Sequence, residues 1–460
     1  MKAPRGIERL SGAEKARLLD VVQRPSAPRP RVAPSVAGDT AFDNLPGYEE
    51  LRVIRAASDV LGIASPFYRN HDVRAGATSV VAGRPVANFA SYDYLGFNGH
   101  PAITKAVAAA AERWGTSVSA SRITAGERPF HRDLERRLAA LHGVADAIVM
   151  VSGHATNVSV ISQIVGPKDL VLHDALMHNS AVVGAQLSGA HRSVFPHNDV
   201  DAAEKILAAE RHRHGRALIL TESLFSMDGD IPDLPRLIEL KRKYGCWLMV
   251  DEAHAIGVLG ERGRGAAEHF GVDPASVDIW MGTLSKTLVS TGGYVAGPQE
   301  LIDFLKFTAP GFVYSVGMSP TAAAAALTAL DLLDRAQDRV ARLQANGRLF
   351  RDLAQAAGLD VGASEGYAVV PVIVGDSLRT VVAAHRLLDR GVNAVPIIPP
   401  GVHEKGARLR FFVCAGHERE QIEQAVAVVQ EELAALERDG VSLANIATLA
   451  GTAKLTRPER

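Results

Sequence analysis

The chain has 460 residues, of which 47% are hydrophobic and 22% charged, ordinary for a globular protein and more than one core of about 150 residues would need. Lysine and arginine total 50 against 51 acidic residues, so the basic footprint of a dedicated nucleic-acid binder is missing. Two cysteines, Cys246 and Cys414, are too few for a disulfide framework or a four-thiolate zinc site, so a reducing, cytoplasmic setting is expected and no metal is.

In residues 6–22, Ile7, Leu10, Leu18 and Val21 recur near helical spacing and predict one amphipathic helix. Charges at Lys2, Arg5, Glu8 and Arg9 leave no apolar core, so a secretory signal is not expected, and the acidic residues weaken a mitochondrial presequence reading. Pro25, Pro28, Pro30 and Pro34 then read as a stiff, extended linker. Residues 1–38 hold eight basic and three acidic residues, which suits a solvated tail or a docking segment for an acidic partner.

From about residue 41 apolar runs of strand length alternate with helical patterns, the mark of a parallel sheet with crossover helices. The runs are Ala147–Val151, Leu170–Leu172, Ser193–Phe195, Leu218–Leu220, Trp247–Val250, Ile279–Met281 and Tyr294–Ala296. Being apolar rather than alternating, they predict strands buried on both faces. Polar and Gly-rich residues follow them, at the carboxyl ends where open α/β sheets bind ligands. A long helix is predicted over Ala322 to Leu343. Thr328, Asp331 and Asp334 interrupt this Ala-rich stretch, so no membrane span is expected. Strands at Val369–Val374 and Leu409–Cys414, with helices near 377–390 and 418–437, predict a smaller C-terminal α+β unit.

Two polar features end buried runs. Asp251 closes Trp247-Leu-Met-Val-Asp251-Glu-Ala-His254, and Thr283-Leu-Ser285-Lys286 follows the next run. A buried carboxylate needs a cationic partner, and a desolvated lysine has the lowered pKa that Schiff-base chemistry requires. Pyridoxal 5'-phosphate answers both, since it needs a lysine amine, a carboxylate at its ring nitrogen and donors for its phosphate. Ser152-Gly153-His154-Ala-Thr156-Asn157 opens a helix whose first amides can receive that phosphate, although many strand-to-helix turns carry Ser-Gly. Gly257-Val-Leu-Gly260-Glu-Arg-Gly263-Arg-Gly265 is not a dinucleotide fingerprint, because it does not form the first turn of a βαβ unit.

Across residues 45–437 the chain resembles the α-oxoamine synthases. The resemblance rests on an ordered series: Ala90-Ser-Tyr-Asp-Tyr-Leu-Gly96, Ala120-Ser121-Arg122 with Gly126 and His131-Arg-Asp-Leu-Glu135, then Ser152-Gly153-His154. Asp174-Ala-Leu-Met-His178-Asn-Ser180, His197-Asn-Asp199 and Glu222-Ser-Leu-Phe-Ser226-Met-Asp-Gly-Asp230 come next. Asp251-Glu-Ala-His254, Gly263-Arg-Gly265, Thr283-Leu-Ser-Lys286 and Arg408-Leu-Arg410 complete it. The resemblance implies an α/β, fold-type-I PLP-dependent transferase, aspartate aminotransferase-like, with a seven-stranded, mostly parallel sheet and a small C-terminal α+β domain. The implied layout is an N-terminal helix and linker at 1–40, a helical arm with small strands at 41–95, a large PLP-binding domain at 96–330, a small domain at 331–440 and a tail at 441–460.

It also implies roles. Lys286 would hold the cofactor and act as base and acid at the substrate's Cα. Asp251 would pair with the ring nitrogen, His254 and Ser226 would bond the ring's phenolic oxygen, and His178 would stack on the ring. Gly153, His154 and Thr283 would hold the phosphate, with Ser315 reaching that of a neighbouring subunit in a homodimer. Arg410 would bind the amino-acid carboxylate, beside Asp93 and Ser121. Two positions depart from the family: Asp93 stands where Asn is usual, and Gly401 where several members carry Thr. Ser121 favours alanine or serine over glycine.

The implied reaction joins a small amino acid (alanine, serine or glycine) to an acyl thioester, on coenzyme A or an acyl carrier protein, giving an α-amino ketone and CO2. An aminotransferase on the same fold and a catalytically silent scaffold are the alternatives. Among sixteen histidines most are expected to be structural, His197 included.

Overall fold

The computed structural model describes residues 65–442, together with 41–45, 47–48, 52 and 445. The helix expected over 6–22, the proline-rich linker, residues 46, 49–51 and 53–64 of the arm and most of the tail lie outside the described residues.

Two short strands come first, β1 (Thr78–Val81) and β2 (Arg84–Asn88), paired antiparallel. Seven more build the main sheet: β3 (Asp146–Met150), β4 (Leu170–Asp174), β5 (His191–Phe195), β6 (Ala217–Glu222), β7 (Trp247–Asp251), β8 (Ile279–Thr283) and β9 (Gly293–Gly297). Their order is β3-β9-β8-β7-β6-β4-β5, parallel from β8 to β5, with β9 antiparallel to both neighbours. Residues alternate between two cores along the strands other than β5, as the two-residue pleat dictates. On β7, Leu248 and Val250 join the core on one face, and Met249 the core on the other. A leucine fully buried this way stabilises the fold by roughly 1.5–3 kcal/mol.

Strand β5 departs from the expectation of burial on both faces. It is the sheet edge, and His191, Arg192 and Val194 are exposed on it. The helix expected over Ala322–Leu343 is two helices, Pro320–Leu333 and Gln337–Ala356. At Ala336 the backbone leaves helical geometry (φ −107°, ψ 20°), which redirects the chain. The first helix buries Ala326, Ala329 and Leu333 in the core on one face of the main sheet, packed against helices Pro101–Trp114 and Pro129–His142. The second begins there with Val340 and Leu343 and ends with Phe350 and Ala354 in a separate C-terminal core.

That core is built on β10 (Val369–Ile373), β11 (Val392–Asn393), β12 (Val395–Ile397) and β13 (Arg408–Phe412), covered by helices Ser377–Asp389 and Arg419–Arg438. β10, β13 and β12 form an antiparallel sheet, whereas β11 pairs in parallel with β2. Phe89, just after β2, is buried in the same core, stacked on His417 and packed against Phe350 and Phe411. The chain segment at 78–89 is thereby tied to the C-terminal unit. No described helix is long and apolar enough to cross a membrane.

Candidate active site

The carboxyl ends of the parallel strands carry Asp174, Glu222, Asp251 and Thr283 as last residues. A cavity of about 350 Å³ opens over the ends of β6, β7 and β8. Gly153, His154, Asn157, His178, Glu222, Asp251, His254, Thr283, Ser285 and Lys286 are among the residues that line it. Its size falls within the roughly 300–1,000 Å³ usual for small-molecule sites.

One wall is the start of helix Gly153–Ile164. Ser152 caps it, its hydroxyl accepting from the Ala155 amide at 3.3 Å. The Gly153 and His154 amides have no acceptor among the described residues. A Cβ on Gly153 would stand 2.9 Å from Thr283 Oγ1, so only glycine leaves this corner open. Thr283 Oγ1 lies 2.8 Å from Ser285 Oγ and donates to the Gly292 carbonyl at 3.1 Å.

On the floor, Asp251 Oδ2 accepts from Asn157 Nδ2 at 2.9 Å, and Oδ1 from the Ala253 amide at 2.9 Å. Asn157 Nδ2 also donates to Ser180 Oγ, while Asn157 Oδ1 is buried without a partner among the described residues. Beside Asp251 in register stands Glu222. Its carboxyl accepts from the His178 amide at 2.7 Å and the Ser226 amide at 3.3 Å. Burial, reinforced by the negative charge of Asp251, pushes Glu222 well above the usual carboxylate range.

Lys286 opens onto this floor and makes no ion pair among the described residues. Burial lowers it to about 8, against the pull of Asp251 and Glu222. Its Nζ lies 5.8 Å from the centre of the Tyr92 ring. His178 caps helix Asn179–Ser188 and has Nδ1 2.7 Å from Ser180 Oγ. Burial drives His254 well below its ordinary pKa, so its ring is neutral, with Nδ1 2.6 Å from the Tyr94 hydroxyl.

Arg410, on β13, is a buried cation with no carboxylate within ion-pair distance among the described residues. Its Nη1 donates to the Ser226 carbonyl at 3.1 Å and to Met227 Sδ at 3.2 Å, and its guanidinium lies over the Phe412 ring. Its Nε is buried without a partner among the described residues. Such a group is costly unless an anion completes it.

Five expected residues, Arg410, Ser226, Asp93, Ser121 and Ser315, are not among those lining the cavity. Asp93 accepts from the Phe97 amide with Oδ1 (2.7 Å) and the Asn98 amide with Oδ2 (3.0 Å), so both oxygens serve the turn that follows it. That arrangement, rather than a contact with Arg410, accommodates a buried carboxylate here. Ser121 Oγ lies 3.0 Å from Thr124 Oγ1, on a segment held by Arg122 paired with Glu127 and Glu135. Ser315 lies between exposed Tyr314 and Val316. His197 bridges Asp174 and Asp230 at 2.9 and 2.8 Å, and the two carboxylates raise it to about 10 against the opposing effect of burial. It is a structural cation.

Asn157, Glu222 and Tyr94 belong to the site's polar network although the sequence reading gave them no role. Glu222 carried the same signal as Asp251, a carboxylate closing a buried apolar run.

Residues 84–429 match the model of the family described as aminotransferase class I and II. The chain is 43% identical over 356 residues to an 8-amino-7-oxononanoate synthase of Geobacter sulfurreducens, covering 77% of this chain and 90% of that protein. It is 38% identical over 355 residues to the 8-amino-7-oxononanoate synthase of Treponema denticola, covering 77% and 89%. The serine palmitoyltransferase of Sphingomonas wittichii superimposes with a TM-score of 0.81 at 29% identity, over 86% of this chain and 99% of that one. A serine palmitoyltransferase of S. paucimobilis solved with PLP and myriocin bound gives 0.82 at 27%, over the same shares.

Proposed function

This chain belongs to the class I and II aminotransferase family and, within it, to the α-oxoamine synthases, and from that premise we propose that it condenses a small amino acid with an acyl thioester, releasing CO2 and a thiol and leaving an α-amino ketone. It is a PLP-dependent C-acyltransferase. When bound, the cofactor withdraws electrons from the amino acid's Cα, so that this carbon can lose a proton and form a carbon–carbon bond.

The residues present fit the cofactor. The Gly153 and His154 amides and Thr283 suit its phosphate, in a corner that a Cβ at position 153 would fill. Asp251, held by Asn157, would keep a proton on the ring nitrogen. His178 would flank the ring, with His254 and Ser226 near its oxygen. Lys286 would attach the cofactor, then take the proton from Cα and return it; an amine lowered to about 8 is partly neutral near neutral pH and can do both. Arg410 would pair with the amino-acid carboxylate, a role favoured by its buried, partnerless Nε. The observation that carries this reading is Lys286 opening onto one cavity with Asp251 and an uncapped pair of helix-start amides.

The acyl donor is carried by coenzyme A or by a carrier protein, and the basic excess of residues 1–38 favours an acidic carrier protein. A homodimer is the proposed assembly, with Ser315 facing the neighbouring site. The exposed apolar side chains of Phe307, Tyr314 and Val316 support an interface there. Panels of amino acids and acyl thioesters, with the ketone products read by mass spectrometry, test the reaction and identify both substrates.

A further inference from the structure

We propose that Tyr94 is a positioning residue that fixes the tautomer and orientation of His254, so that His254 offers an Nε2–H donor to the bound cofactor. The role rests on the cofactor reading above; the Tyr94–His254 bond does not.

Tyr94 is fully buried, and its hydroxyl lies 2.6 Å from His254 Nδ1. Among the described residues that hydroxyl has no other hydrogen-bond partner. If Nδ1 carried the proton and donated it to the phenol, the buried O–H would be left without an acceptor, a cost the opposite polarity avoids. The phenol therefore donates, Nδ1 accepts, and a neutral imidazole must carry its proton on Nε2.

Both groups are in the required charge state. Burial holds Tyr94 well above 10 and His254 well below its ordinary value, and Lys286 and Arg410 disfavour a second positive charge on the ring. The ring is also fixed sideways. It stacks on Phe412 (6.1 Å between centres, 8° between planes) and meets Tyr92 edge-on (6.3 Å, 87°). Tyr94 is anchored in turn, its carbonyl accepting from the Ala415 amide at 2.8 Å just beyond β13. One buried tyrosine, through its hydroxyl and its carbonyl, thus ties the site's histidine to the C-terminal unit.

The test uses the apoenzyme labelled with 15N-histidine, with the His254 signals assigned from His254→Gln. Wild type should show His254 protonated at Nε2 with Nδ1 accepting. Tyr94→Phe, which removes only the hydroxyl, should move the ring toward a tautomer mixture. In the holoenzyme the same variant should shift the pH midpoint of the cofactor absorbance by about 0.5–1 unit, the worth of one hydrogen bond. Its kcat should fall more than the KM for the amino acid rises. A wild-type His254 protonated at Nδ1, or a variant with unchanged tautomer and midpoint, overturns the proposal. If Tyr94→Phe does not fold, the wild-type tautomer alone decides. A protein that binds no cofactor at all would refute the proposed reaction while leaving the apoenzyme result intact.

Discussion

Glu222 and Asp251 stand side by side in register at the carboxyl ends of the parallel strands β6 and β7. Burial and the negative charge of Asp251 raise the proton affinity of Glu222 well above the usual carboxylate range. A neutral Glu222 is partly mimicked by an amide. Glu222→Gln keeps a carbonyl for the His178 amide but sets its NH2 against the Ser226 amide, so it should lose activity, though less than Glu222→Ala. Glu222→Ala should leave the His178 and Ser226 amides unpaired and lose about 10-fold or more in kcat/KM, at roughly 1–3 kcal/mol per unsatisfied buried group. Steady-state kinetics on the two variants check this, and equal losses would argue against a neutral Glu222.

Lys286 governs how the apoenzyme takes up its cofactor. Only the neutral amine attacks an aldehyde, and burial lowers this amine to about 8. The sign follows directly: raising the pH through 8 deprotonates Lys286, so the rate of reconstitution with PLP should rise through that midpoint and level off above it. An unperturbed lysine would keep the rate climbing to about 10.4. Stopped-flow absorbance between pH 6 and 10.5 separates the two.

Arg410 offers a buried cation with no carboxylate partner among the described residues. Arg410→Lys loses the planar fork that matches a carboxylate, and the KM for the amino acid should rise about 10–100-fold. The KM for the acyl thioester should stay within about 3-fold. A rise confined to the acyl donor would reassign Arg410 to that substrate.

The basic excess of residues 1–38 makes a separate claim about the donor. Deleting these residues should raise the apparent KM for a carrier-bound acyl group several-fold, steeply dependent on salt, with no change for the same acyl group on coenzyme A. Equal effects on both donors would refute the docking role.

Strands and chemistry were legible in the sequence where a local pattern carried them. Seven apolar runs correspond to the seven strands of the main sheet, because burial on both faces leaves few polar positions. Asp251 and Lys286 stood out because charge at the end of such a run is costly. The edge position of β5 was not legible, since strand order is a tertiary property and Ser193-Val-Phe195 reads like any buried strand. Neither was the break at Asp334–Ala336, where no proline or glycine marks it and the two helices divide between separate cores. Tyr94 and His254 are 160 residues apart, and no spacing rule could pair them. Asp93 was expected near the substrate, but its two bonds to the Phe97 and Asn98 amides depend on the turn geometry that follows it.

The account depends most directly on a covalent link between the cofactor and Lys286. Borohydride reduction of the holoenzyme, followed by proteolysis and mass mapping, should place a single pyridoxyl group on the peptide containing Lys286, and Lys286→Ala should carry none and form no ketone. A pyridoxyl group on another lysine, or a Lys286→Ala protein that retains condensation and unchanged absorbance, would contradict it.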